Sequence, residues 1–381
     1  MENRQSSKPK VVTIFGTRPE AIKLFPVIDA LSKRSGLHSI SCVTAQHRQM
    51  LDQVLDIAGI VPDYDLDIMR ADQSLDQLTG RLLTAIGQTL DEISPSRVIV
   101  QGDTASAMCG ALAAYYRKIP VSHVEAGLRS YNIYHPWPEE VNRKIIGTIA
   151  DQHFAPTKTA AGALQKENIA AEQISITGNT VIDALLAAVD KSRDSHFLDE
   201  GLKAHFKRFS GKKIIGVTSH RRENFGDGLS NIASALREIA QRGDVALIFP
   251  VHLNPNVRAI MNEALGGLDN VAMIEPLDYP NFVALLDACT FMLTDSGGVQ
   301  EEAPALGKPV LVMRDTTERP EGVEAGTAKL VGTDKDLIVT TAYKLLDDRQ
   351  FYDAMAKAHN PFGDGKASDR IADIIEQSLR S

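Results

Sequence analysis

Short β-branched apolar stretches alternate with segments of helical pattern along this chain, in a series run through twice. Residues 11–15 form such a stretch, followed by a Gly-Thr-Arg-Pro turn and a helix expected over about 20–33. Residues 39–44, 97–101, 120–124, 153–155 and 174–177 continue the first series as strands. Near-continuous apolar runs separated by helices belong to a parallel sheet covered on both faces, because each parallel crossover lays its helix on a face. Residues 181–189 read as helical, and the charged stretch 190–211 reads as irregular. The alternation then restarts with strands at 213–218, 245–250, 271–274, 291–294, 309–313 and 329–331. The expectation is two doubly wound α/β domains, divided near residues 178–180. Open α/β sheets bind ligands beyond the carboxyl ends of their strands, which places the site in a cleft between domains that face each other.

Composition narrows the function classes. The 381 residues carry a net charge of −8, from 41 Lys and Arg against 49 Asp and Glu. A bulk nucleic-acid binder would show a basic excess, whereas a pocket for one phosphate needs only a few arginines. Cys42, Cys109 and Cys289 are scattered, with no C-x-x-C pair, so they suggest neither a disulfide framework nor a zinc site and read as small apolar core residues. Residues 1–10 lack the apolar core of a signal peptide. The longest apolar stretch, 104–116, is too short to span a bilayer, and its Ala and Gly content suits a helix packed closely on a sheet. These features imply a reducing, cytoplasmic setting and no membrane partner.

The chemistry gathers at strand ends. After the first strand comes Gly16-Thr17-Arg18-Pro19-Glu20, with Lys23 a turn later. Pro suits a helix start and helix N-termini attract anions, so Arg18 and Lys23 point to a phosphate, the alternative being a solvated turn. Asp103 follows strand 97–101 and Glu125 follows strand 120–124. Glu139, in Pro136-Trp137-Pro138-Glu139-Glu140, opens a helix and is either a third acid–base group or a carboxylate complementing the helix dipole. Neighbouring carboxylates can have their proton affinities pushed apart, which suits paired acid and base roles. In the second series, His220-Arg221-Arg222-Glu223-Asn224 is an anion-binding candidate at a strand end. Asp295-Ser296-Gly297-Gly298 lets backbone N–H groups approach a diphosphate, with Glu302 one turn inside the following helix, in reach of a ribose diol. Arg319 adds a cation after strand 309–313. His123, inside an apolar strand, reads as a core histidine. No G-x-G-x-x-G, no P-loop, no G-x-S-x-G and no H-E-x-x-H occurs.

Taken in order, Gly16-Thr17-Arg18-Pro19-Glu20, Gln46-His47-Arg48, Gln101-Gly102-Asp103-Thr104, His123-Val124-Glu125-Ala126-Gly127-Leu128-Arg129, Pro136-Trp137-Pro138-Glu139-Glu140-Val141-Asn142-Arg143, His220-Arg221-Arg222-Glu223-Asn224, Asp295-Ser296-Gly297-Gly298-Val299-Gln300-Glu301-Glu302 and Arg319-Pro320-Glu321-Gly322 resemble the non-hydrolysing bacterial UDP-N-acetylglucosamine 2-epimerases, over about residues 11–375. The resemblance implies a glycosyltransferase B type fold: two Rossmann-like domains facing across a cleft, the first over 1–179, completed by a returning C-terminal helix at 367–381, and the second over 180–366. It implies reversible conversion of UDP-N-acetylglucosamine to UDP-N-acetylmannosamine, without nicotinamide or metal, in a homodimer that feeds cell-surface polysaccharide synthesis.

By the same resemblance, Asp103, Glu125 and Glu139 are the acid–base candidates, with His220. Arg18, His220 and the amides of Ser296, Gly297 and Gly298 hold the diphosphate, with Lys23 nearby. Glu302 takes the ribose, and Phe282 and Arg319 line the nucleotide pocket. A second, regulatory UDP-N-acetylglucosamine site is implied at Gln46, Gln49, Arg70, Arg221 and His252. A glycosyltransferase, a hydrolysing epimerase releasing free N-acetylmannosamine and UDP, and a nucleotide-sugar sensor are the alternatives.

Overall fold

In a computed structural model of the chain, the described residues are 8–45, 51, 54–55, 59–70, 72–192, 198–219, 226–251 and 254–380. The chain divides into two compact units, Met1–Ala184 with Gly363–Ser381, and Leu185–Phe362.

The first unit is built on a seven-stranded parallel sheet in the order β3-β2-β1-β4-β5-β6-β7. The strands are β1 (Lys10–Phe15), β2 (His38–Val43), β3 (Tyr64–Asp65), β4 (Arg97–Gln101), β5 (Val121–Val124), β6 (Gln152–Ala155) and β7 (Ile174–Ile176). The order reverses between β1 and β4, which creates a switch point where the loops leaving the two strands part. Gln101 stands opposite Val124 in the β4–β5 register, so Asp103 and Glu125 leave adjacent strands just past their last pair.

Local signals explain the helices. Thr17 caps helix Arg18–Ser32 and Glu20 closes the capping box. Ser74 and Gln77 do the same for helix Leu75–Ile93, whose buried Leu78, Leu82, Ile86, Leu90 and Ile93 recur at helical spacing. Helix Ala105–Tyr116 lies so close to the sheet that a Cβ at Gly110 would come within 3.1 Å of Val100 and 3.4 Å of Ile14. The C-terminal helix Ala367–Arg380 packs against helix Arg18–Ser32. Its start is capped by the half-buried Asp183, which accepts from the N–H groups of Ser368 (2.8 Å) and Ala367 (3.3 Å).

The second unit carries a six-stranded parallel sheet, β10-β9-β8-β11-β12-β13. Its strands are β8 (Lys213–Thr218), β9 (Val245–Pro250), β10 (Val271–Ile274), β11 (Phe291–Thr294), β12 (Val310–Val312) and β13 (Ala328–Leu330). Phe249, Phe291, Leu247 and Leu293 are fully buried, as expected for central strands covered on both faces.

One expectation needs correction: the stretch read as irregular between residues 190 and 211 contains a helix, Glu200–Arg208. Asp199 caps it, but only Leu202 of its nine residues is buried, so it shows no apolar stripe by which sequence could reveal it. The three cysteines are buried and free, and burial pushes each thiol up to about 12. No helix among the described residues is long and apolar enough to cross a membrane.

Candidate functional site

The first unit gathers its polar residues past β1, β4 and β5. The turn after β1 presses against Thr44 and Ser106, whose hydroxyls hydrogen-bond each other at 2.6 Å. A Cβ at Gly16 would strike both, so the turn requires glycine. Glu20 fixes it from inside, accepting from the N–H groups of Gly16 (3.0 Å) and Thr17 (2.8 Å) and from the Thr104 hydroxyl (2.6 Å). Burial raises the Glu20 carboxyl above its usual range, against the pull of these hydrogen bonds. Arg18, half-buried, makes no hydrogen bond or ion pair among the described residues.

Glu125 is the most constrained residue of this rim. It is buried, with φ at 60° in the left-handed region, a conformation that costs a non-glycine residue about 1 kcal/mol or more and persists only where its surroundings enforce it. Three side chains do so. Lys23 Nζ lies 2.5 and 2.7 Å from its two oxygens, Asn179 Nδ2 donates at 3.1 Å, and Gln101 Nε2 donates as well. The ammonium expected near a phosphate is thus engaged by a carboxylate. Asp103 is bound by Arg143 through Nε (2.8 Å) and Nη2 (2.6 Å), and its carbonyl accepts from Asn142 Nδ2 at 2.8 Å. Asn142 and Arg143 belong to helix Glu139–Ile149, so Asp103 is tied to the helix that Glu139 opens. One carboxylate oxygen of Glu139, Oε2, is buried without a hydrogen-bond partner.

His123 is the core histidine expected. It is buried, Nε2 lies 2.7 Å from the Gly102 carbonyl, and desolvation lowers its pKa to about 3, keeping the ring neutral. Gln101, Asn179, Asn142 and Glu140 are polar residues of this rim that sequence reasoning did not single out. Each had a positional signal only: Gln101 ends β4, Asn179 follows Gly178 at the start of helix Thr180–Ser192, and the last two follow Glu139 within a turn.

The second unit presents a different surface. Ser296 precedes helix Gly297–Ala305, whose N-terminus has no side-chain cap, which leaves its first N–H groups for a ligand. Thr294 Oγ1 accepts from the Ser296 N–H at 2.9 Å and sets the turn. A cavity of about 240 Å³ opens beside it, lined by Phe282, Ser296, Gly298 and Glu302 together with Thr218 and Leu277. Glu302 is buried, with the Tyr279 hydroxyl 3.5 Å from Oε1. Arg319 pairs with Glu301 and donates to the Glu318 carbonyl at 3.2 Å. It does not line the cavity; its guanidinium carbon lies 3.9 Å from where a Cβ on Gly297 would stand. Arg70 is exposed and donates to the carbonyls of Asp67 (3.2 Å) and Met69 (2.9 Å). Gln46, Gln49, His220, Arg221 and His252 lie outside the described residues. Among the described residues, no group of three or more His, Cys, Asp or Glu is placed to hold a metal ion.

Two Rossmann-like sheets, one with a network of hydrogen-bonded carboxylates past its strand ends, define the class: a two-domain α/β enzyme. A family model for UDP-N-acetylglucosamine 2-epimerase matches residues 29–376. The UDP-N-acetylglucosamine 2-epimerase of Escherichia coli K12 is 52% identical over 371 residues, covering 97% of this chain and 99% of its own. The crystal structure of UDP-GlcNAc 2-epimerase from Neisseria meningitidis bound to UDP-GlcNAc is 46% identical, with a TM-score of 0.83 and coverage of 98% and 100%. The structure of S. aureus MnaA with UDP is 45% identical, with a TM-score of 0.84 and coverage of 98% and 97%. The chain belongs to the UDP-N-acetylglucosamine 2-epimerase family and is an isomerase.

Proposed function

We propose that this enzyme interconverts UDP-N-acetylglucosamine and UDP-N-acetylmannosamine by eliminating UDP and adding it back. The hydrogen on sugar C2 is not acidic on its own. In the elimination a carboxylate removes it as a proton, the C2–H electrons form the C1=C2 bond, and the C1–oxygen bond breaks to release UDP and a 2-acetamidoglucal. Re-addition of UDP with protonation from the other face gives the epimer. The observation that carries this reading is the carboxylate rim of the first unit. Glu125 is clamped by Lys23, Gln101 and Asn179 in a strained backbone geometry, on the strand next to the one that delivers Asp103. Asp103, Glu125 and Glu139 are the acid–base groups, with His220.

The second unit supplies the nucleotide site: the amides after Ser296 take the diphosphate, Glu302 the ribose, and Phe282 the base side of the cavity, with Arg319 at the same helix start. The ligands of the Neisseria and S. aureus structures, UDP-GlcNAc and UDP, support this assignment. Arg18 and His220 balance the charge on the leaving diphosphate, while Lys23 holds Glu125. The proposal extends to a second, activating UDP-N-acetylglucosamine site at Gln46, Gln49, Arg70, Arg221 and His252, and to a cytoplasmic homodimer that supplies cell-surface polysaccharide precursors.

Incubation with UDP-N-acetylglucosamine alone, followed by separation of the products, tests the reading. UDP-N-acetylmannosamine at constant total nucleotide sugar is expected. Accumulation of free N-acetylmannosamine with stoichiometric UDP, or binding without turnover, would overturn it.

A further inference from the structure

Glu140 is a completely buried carboxylate beside the acid–base rim to which the mechanism gives no step; its side chain is 0% exposed. Burying a carboxylate costs several kcal/mol unless its oxygens are hydrogen-bonded and its charge is matched, and here both conditions are met. The Ser130 N–H donates to Oε2 at 3.0 Å and the Tyr131 N–H to Oε1 at 3.1 Å, so two backbone groups fix the plane of the carboxylate. Arg143 Nη1 completes the set, donating to Oε2 at 3.2 Å. The same guanidinium gives Nε and Nη2 to Asp103. Arg143 therefore bridges two carboxylates, one immobile and one at the site of chemistry. A planar fork pinned on one edge has its other edge aimed, whereas an arginine attached to Asp103 alone could follow that carboxylate through its rotamers.

We propose that Glu140 is a positioning residue for the epimerisation, acting through Arg143 to hold the Asp103 carboxylate in its working orientation. This rests on the reading of Asp103 as an acid–base group.

The test is a double-mutant cycle on kcat with Glu140→Gln, Asp103→Asn and the double variant. Asp103→Asn alone should lose at least about 100-fold, the scale of a positioned acid or base. Glu140→Gln alone should lose about 10- to 100-fold in kcat with KM within about threefold, the signature of an interaction that matters in the transition state. In the Asp103→Asn background the same change should cost less than about threefold, because residues acting as one unit are not additive. An equal loss in both backgrounds, or no loss from Glu140→Gln in the otherwise intact enzyme, would overturn the proposal. Near-normal turnover of Asp103→Asn would instead overturn the acid–base reading beneath it. Circular dichroism melting shows whether each variant is folded. Should Glu140→Gln not fold, Glu140→Asp goes through the same cycle under the same criteria, since its shorter side chain keeps the charge but cannot span from the two backbone N–H groups to Arg143.

Discussion

The two sheets are built alike and furnished differently. Past the strands of the first unit, Glu125 and Asp103 are each locked into cations or amides. Past the strands of the second, an uncapped helix start and a cavity walled by Phe282 and Leu277 stand beside the buried carboxylate Glu302. Preorganised charge is what proton transfer requires, and an open helix N-terminus beside an apolar wall is what a nucleotide requires. On the proposed reading the acid–base carboxylates stand on one unit and most of the nucleotide contacts on the other, with His220 and Arg18 as the two residues that cross this division.

The largest effect belongs to the first unit. Glu125→Gln should lower kcat by about 10²- to 10⁴-fold, while the dissociation constant for UDP, read by isothermal titration calorimetry, stays within about twofold. In the second unit the signs reverse. Phe282→Ala and Glu302→Gln should each weaken UDP binding by about tenfold, or about 1.4 kcal/mol, with kcat at saturation within about threefold. Glu125→Gln weakening UDP as strongly as Glu302→Gln would erase the division.

A comparable difference lies inside the sheets. β5 and β6 pair His123 with His153, both buried, and burial lowers both pKa values, that of His123 to about 3. No strand of the second unit holds a histidine. A folded pKa depressed below the unfolded value of 6.5 means that neutral His123 contributes stability above pH 6.5, which is lost as the pH falls. Between pH 6.5 and pH 5 the loss is about 1.7 kcal/mol, since the unfolded histidine is half protonated at 6.5 and the slope approaches 1.36 kcal/mol per pH unit only below it. Hydrogen exchange at pH 5 should show the first sheet loosening before the second, and His123→Gln should flatten that dependence. Equal acid sensitivity of both sheets would show that the histidines do not set it.

What the sequence made legible follows the range of the interactions. β8, β9, β10 and β11 lie at the expected residues because each is an apolar run bounded by turn residues, a signal contained within the run itself. The strand-end positions of Asp103 and Glu125 were legible for the same reason. Their partners were not. Lys23 and Glu125 are 102 residues apart, Arg143 and Asp103 are 40 apart, and Asn179 and Glu125 are 54 apart. Only the folded sheet order decides which of many amides and cations arrives at a given carboxylate. The local pattern offered Lys23 an anion beside a helix N-terminus; the fold gave it Glu125. Glu140 was hidden for another reason, since beside Glu139 it reads as a second acidic residue in a helix's first turn until its burial is seen.

In the proposed elimination, C2 loses its hydrogen as a proton and regains one from solvent. Epimerisation of UDP-N-acetylglucosamine in D2O, followed by ¹H NMR, tests it most directly. Every molecule of UDP-N-acetylmannosamine formed should carry deuterium at C2, and recovered substrate should acquire it as the reaction reverses. Product that keeps its original hydrogen at C2 would rule out elimination and re-addition.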